Sequence, residues 1–122
     1  MFAAHKGLGS LTAFVDSNKQ QLDGWTNEVM DTGEIADKFE SFGWHTQEID
    51  GHDIGEIMDA LSCARETRDI PSVIILDTVK GNGVSFAAGV PGNHHMAFAK
   101  EQMDKEIQTA SERLESALAA LN

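Results

Sequence analysis

The sequence predicts an α/β fold, a parallel sheet with flanking helices, and three observations carry that reading. Two short apolar runs, residues 11–15 (LTAFV) and 73–76 (VIIL), lack the polar alternation of a half-exposed strand and read as strands buried on both faces. Elsewhere, apolar residues recur at spacings of three and four, the helical period. The resulting order of strand, helix, strand, helix, strand, helix is the pattern of a parallel sheet connected by crossover helices.

Each element follows from local signals. Residues 1–6 (MFAAHK) read as the last turns of a helix that Gly7 and Gly9 terminate. The first strand ends in Asp16-Ser17-Asn18, whose side chains bond nearby backbone and favour a turn. A loop carrying Leu22 and Trp25 follows. Residues 34–42 form a helix, with Ile35, Phe39 and Phe42 on one face and Gly43 as its stop. Residues 44–49 alternate and read as a strand, in which His45 is structural. Asp50-Gly51-His52-Asp53 then turns the chain, and Asp53 with Glu56 forms a capping-box start for the next helix. That helix carries a stripe of Ile54, Ile57, Leu61 and Ala64, and Cys63 within it reads as a buried structural thiol with no histidine nearby. Pro71 closes the connection to the strand at 73–76, the most β-prone run in the chain. Lys80-Gly81-Asn82-Gly83 opens a glycine-rich loop extending to about Gly92. From about residue 97 to 122 a long amphipathic helix places Met103, Ile107, Ala110, Leu114, Ala117 and Leu121 on one stripe.

Composition narrows the function classes. The 122 residues suit one domain. With 9 Lys+Arg against 20 Asp+Glu and a net charge of −11, the chain lacks the clustered cations that nucleic acid or an anionic membrane surface requires. One Cys excludes an internal disulfide framework and a cysteine-based zinc site, and fits a reducing, cytoplasmic compartment. No apolar run approaches the roughly 20 residues that span a bilayer.

In parallel α/β sheets ligands gather beyond the carboxyl ends of the strands, and three polar segments fall there. Asp16 and Asn18 offer oxygen donors suited to a hard cation such as Mg²⁺, or they simply close the strand as an Asx-turn. His52, between Asp50 and Asp53, is a metal ligand or base, or merely part of a turn whose Asp53 caps a helix. The loop from Lys80 to His95 brings glycine N–H groups and a lysine charge suited to phosphate, without the spacing of a P-loop. His94 and His95 on an extended chain point to opposite sides, so at most one of them faces a site.

Taken together, FAAHKGLGSLTAFVDSNKQQLDGWTNEVM, KFESFGWHTQEIDGHD and IPSVIILDTVKGNGVSF resemble the thiamine-diphosphate-binding domain of transketolase, in the form of the separately encoded N-terminal subunit of bacteria. The resemblance runs in order from Met1 to about Met96. It implies a partial thiamine-diphosphate-binding fold and an enzyme that uses thiamine diphosphate and Mg²⁺ to move a two-carbon ketol unit between sugar phosphates. It implies that Asn18 is a Mg²⁺ ligand through its side-chain oxygen and Gln20 through its backbone carbonyl. Leu22 falls where the family has an aliphatic residue packed against the cofactor, and Lys80 and Gly81, with Gly83, match a loop phrase of the family. His94 matches the histidine that reaches the diphosphate and reacting centre; the family shows Trp-His-Gly there, this chain Asn93-His94-His95, so His95 is the alternative.

The family's cofactor motif begins with Gly-Asp-Gly, which occurs nowhere in these 122 residues. The resemblance therefore implies a partial domain, its first half upstream of Met1 and its opening inside a helix fitting truncation at an internal Met. The pyrimidine-binding subunit is the second missing part, and a homo-oligomer is expected. The isolated chain is expected to be inactive. The alternative is a non-catalytic remnant or interaction module whose exposed sheet edges favour self-association.

Overall fold

Strand β5 (Ser72–Asp77) is the central strand of the sheet, with Ser72, Val73, Ile74 and Ile75 all buried in the computed structural model, which describes residues 1–121. It pairs in parallel with β1 (Thr12–Ser17) on one side and β4 (His45–Asp50) on the other, in the order β1-β5-β4. The expected α/β class is the one observed. The described chain has two compact parts, residues 1–79 and the residues from Lys80 onward.

In the first part, helix α1 (Phe2–His5) ends where Gly7 enters the left-handed region at φ +63°. After β1 come the two-residue strands β2 (Gln20–Gln21) and β3 (Gly24–Trp25), an antiparallel hairpin, then the short helix α2 (Thr26–Val29). Helix α3 (Ile35–Ser41) ends at Gly43, φ +82°, whose N–H bonds the Glu40 carbonyl at 2.8 Å. Phe39 meets Trp44 edge to face, with centroids 5.3 Å apart, which holds α3 against the start of β4. Helix α4 (Ile54–Glu66) lays Ala60 and Ala64 on Ile74, with Ile49, Leu61 and Leu76 packed around them. Small alanines let the helix approach the sheet closely, so the few large side chains buried are those of β5.

Three packing expectations change. β1 is not buried on both faces: it is the sheet's edge, paired among the described residues only with β5, and Phe14 is 49 % exposed. An apolar run records hydrophobicity but not the strand's place in the sheet. On α4, Ile54 is exposed and Ala60 takes its place in the buried stripe; Phe42 likewise lies exposed just after α3. Cys63 is exposed rather than buried, and a histidine is near it after all: His45 Nε2 lies 4.0 Å from its sulfur. Residues 18 positions apart meet because α4 runs back along β4. His45 itself is structural, its Nδ1 lying 3.4 Å from the hydroxyl of buried Ser72.

The second part contains the glycine-rich loop, a 3₁₀ turn (Asn93–His95) and helix α5 (Lys100–Ala120). The helix begins three residues later than the pattern predicts. Gln102 Oε1 accepts the Ala99 N–H at 2.8 Å and so sets its first turn. Asn122, the last residue of the expected helix, lies outside the described residues. Ile107, Leu114 and Leu121 of the apolar stripe are exposed. Among the described residues no helix is long and apolar enough to cross a membrane.

Candidate functional site

Parallel register aligns the strand ends: Ser17 of β1 and Asp50 of β4 both stand opposite Asp77 of β5. Just beyond them, Gly51 donates its N–H to the Asp77 carbonyl at 2.9 Å. A Cβ at Gly51 would lie 2.4 Å from Thr78 Cγ2 and 2.8 Å from Leu76 Cβ, so only glycine lets the β4–α4 turn come this close to β5. Asp53 Oδ1 accepts the Glu56 N–H at 3.1 Å, the expected cap, but Glu56 Oε2 reaches back to the Asp50 N–H instead of that of Asp53. His52 Nε2 accepts the Val79 N–H at 2.8 Å. That nitrogen's lone pair is therefore committed to bracing the backbone just beyond β5.

At the end of β1, the Asp16 carboxylate accepts from the Thr78 hydroxyl through Oδ1 and from Asn18 Nδ2 through Oδ2, the latter at 3.3 Å. Asn18 Oδ1 accepts the Gln20 N–H at 2.9 Å, an Asx-turn that leaves this oxygen a second lone pair. The Thr26 N–H bonds the Lys19 carbonyl at 2.9 Å. In an antiparallel ladder hydrogen-bonded and non-hydrogen-bonded pairs alternate, so Gln20, opposite Trp25, turns its carbonyl away from β3. The loop thus presents two neutral oxygens, one amide and one carbonyl, beyond the carboxyl end of β1. Leu22, in the hairpin turn, is 60 % exposed. Asp16, Asn18, Gln20 and Trp25, with Glu48 and Ile75 from the sheet, line a cavity of about 780 Å³. Among the described residues no group of three or more His, Cys, Asp or Glu could hold a metal ion.

In the second part, the glycine-rich loop folds around Asn93. Its Nδ2 donates to the carbonyls of Ala87 at 2.8 Å and Lys80 at 3.2 Å, while its buried Oδ1 has no partner among the described residues. Gly81, at φ +79°, passes so close that a Cβ would sit 2.8 Å from the Ala87 carbonyl oxygen. Lys80 Nζ lies 3.4 Å from His94 Nδ1. An ammonium can only donate, so Nδ1 accepts and the ring proton sits on Nε2, available to an external acceptor. Contrary to expectation, His94 and His95 do not point apart: the 3₁₀ turn replaces an extended chain and stacks their rings edge to face at 4.6 Å. Three of the expected residues, Lys80, Gly81 and His94, are thus brought together within this part.

Helix α5 holds the same loop through Glu106, whose carboxylate accepts from both the hydroxyl and the N–H of Ser85, the latter at 3.2 Å. The Ser85 hydroxyl, and then its N–H, holds Glu106 below its ordinary value of 4.5. A lowered carboxylate strengthens the fold above its unfolded value, and that contribution disappears as pH falls through the folded value. We expect the Ser85 amide resonance to stay constant near neutrality and to move as pH is lowered below about 4.5. In Glu106→Gln that titration should vanish; an unchanged titration would show that another group is responsible.

Sequence reasoning missed the hairpin, Asn93 and Glu106. Asp23-Gly24 is a turn signal that marks the hairpin, but two-residue strands show no period. Nothing in the spacing distinguishes Asn93 or Glu106 from surface residues.

The family model of the transketolase thiamine diphosphate-binding domain matches residues 1–114. This chain belongs to that transketolase family. Among its relatives, the 6-deoxy-6-sulfo-D-fructose transketolase subunit SqwG of Clostridium sp. strain MSTE9 is 44% identical over 101 residues, 83% of this chain and 37% of that protein. An apulose-4-phosphate transketolase subunit of Phocaeicola vulgatus is 33% identical over 108 residues, 88% of this chain and 38% of that protein. The crystal structure of Campylobacter jejuni transketolase superposes with a TM-score of 0.81 at 25% identity, covering 90% of this chain and 17% of the other. The chain therefore spans somewhat more than a third of the length of these two subunit relatives.

Proposed function

We propose that this chain supplies part of a thiamine diphosphate and Mg²⁺ site in a cytoplasmic transketolase that moves a two-carbon ketol unit between sugar phosphates. An upstream segment and a pyrimidine-binding partner subunit supply the rest. The observation that carries this reading is the pair of oxygens beyond β1, Asn18 Oδ1 and the Gln20 carbonyl, in a chain of this family. Mg²⁺ accepts hard oxygen ligands, keeps several waters and is commonly completed by phosphate oxygens, so two neutral protein donors fit it.

Thiamine diphosphate, when bound, supplies the carbanion chemistry, and the protein binds and orients it. Asn18, through its side-chain oxygen, and Gln20, through its carbonyl, would hold the metal. Exposed Leu22 offers an apolar contact to the cofactor's ring. Lys80 and the Gly81 backbone are suited to phosphate, and His94, with its proton on Nε2, can donate to a phosphate or substrate oxygen. Neutral donors also suit a region with several carboxylates, where the metal rather than a basic patch offsets the diphosphate charge.

The test is calorimetric titration of thiamine diphosphate into the chain reconstituted with the upstream segment and the partner subunit. Binding that requires Mg²⁺ and disappears with a chelator is the expected result. Folded components that assemble yet take up no cofactor would refute the reading.

A further inference from the structure

We propose that Lys19 is a positioning residue for the two metal donors on either side of it; this rests on the cofactor reading above. Lys19 adopts φ +61°, a left-handed conformation that an L residue adopts at a free-energy cost and glycine adopts freely. Its ion pair to Asp77, Nζ to Oδ1 at 3.3 Å, joins two half-exposed side chains, and such pairs add little stability. A strained lysine kept for a weak surface pair is not explained by folding, and strain of this kind clusters where a backbone must be held for function.

The contacts show what is held. Lys19 Nζ donates to Ser17 Oγ at 2.8 Å as well as facing Asp77, so one ammonium clasps the last residues of the neighbouring strands β1 and β5. At the other end, the Lys19 carbonyl accepts the Thr26 N–H and starts the β2–β3 ladder. The residue between Asn18 and Gln20 is therefore fixed through both its side chain and its backbone. The left-handed turn at Lys19 sets the direction from which Asn18 Oδ1 meets the Gln20 N–H. Among the described residues Lys19 is also the only basic one lining the cavity, beside the carboxylates of Asp16, Glu28, Asp31, Glu34 and Glu48. Its charge offsets part of their field where the anionic cofactor is to bind. Donors ordered before the metal arrives bind it more tightly, because no ordering remains to be done on binding.

Lys19→Gly, Lys19→Met and Asp77→Asn separate the roles. Lys19→Gly removes strain and clasp together, Lys19→Met keeps the strain without the charge, and Asp77→Asn leaves Lys19 in place with a weaker partner. In the full chain without ligand, hydrogen exchange should show the Gln20 amide exchanging several-fold faster in all three. The melting temperature of Lys19→Gly should equal or exceed that of the parent. In the reconstituted complex, Mg²⁺-dependent thiamine diphosphate affinity should fall about tenfold in Lys19→Gly and Lys19→Met. Gln20 protection at the parental level in both Lys19 variants would overturn the proposal, as would parental affinity in both. If the parent complex binds no cofactor the functional reading fails first, and the exchange data on the chain alone still decide whether Lys19 holds the loop.

Discussion

Asn18→Ala should lower Mg²⁺-dependent thiamine diphosphate affinity by about a hundredfold in the reconstituted complex, the largest effect expected of any single site residue. The variant deletes the side-chain oxygen that the loop after β1 presents beside the Gln20 carbonyl. It also releases the Gln20 N–H and the bond from Nδ2 to Asp16, both in an exposed or half-exposed loop. Water replaces these partners, so stability should fall by only about 1 kcal/mol. Asn18→Asp keeps an oxygen at the same place and should retain Mg²⁺ binding. Calorimetric titration of both variants, beside their melting curves, separates a lost ligand from a lost fold. Equal cofactor affinity in Asn18→Ala and the parent would remove Asn18 from the metal site.

Gly51→Ala should destabilise the first part of the chain by about 3 kcal/mol, with the denaturant midpoint lowered and the slope unchanged. Gly51 is outside the left-handed region, so the cost is steric rather than conformational. The added methyl would meet Thr78 Cγ2 at 2.4 Å, Leu76 Cβ at 2.8 Å and the Asp77 carbonyl oxygen at 3.2 Å. Two of these neighbours belong to β5, whose buried side chains leave it no room to yield. The turn must move instead, straining the bond between the Gly51 N–H and Asp77 and the brace from His52 to Val79. A midpoint within error of the parent would show that the β4–α4 turn is looser than its contacts indicate.

The central strand was legible in the sequence because four apolar residues in a row, closed off by Pro71 and Asp77, leave little alternative to a buried parallel strand. The α3 and α4 helices were legible through their periodicity, Gly43 and the Asp53 cap. The edge position of β1 was not, since pairing depends on which strands meet and apolar content does not encode that. For the same reason the approach of His45 to Cys63 was hidden, being a contact across the β4–α4 layer. In the site, local sequence identified Asn18 as a turn-forming oxygen donor, while its pairing with the Gln20 carbonyl came from a family resemblance. The structure adds the physical reason that this carbonyl is available, the alternation of the β2–β3 ladder. The left-handed Lys19 was beyond reach, because lysine carries no signal for positive φ. His94 and His95 were misjudged for a similar reason: the 3₁₀ turn follows from a left-handed Gly92 and from Asn93 pinning the loop, which residue spacing does not reveal.

The central claim, that Asn18 and Gln20 hold the metal of a diphosphate cofactor, is tested most directly by paramagnetic broadening. Mn²⁺ favours the same oxygen donors as Mg²⁺ and broadens the resonances of nearby nuclei. With isotope-labelled chain in the reconstituted complex, and with thiamine diphosphate present, adding Mn²⁺ should broaden signals centred on Asn18 and Gln20, and a chelator should restore them. Broadening centred instead on the carboxylates of Glu28, Asp31 and Glu34, or none at all with cofactor bound, would contradict it.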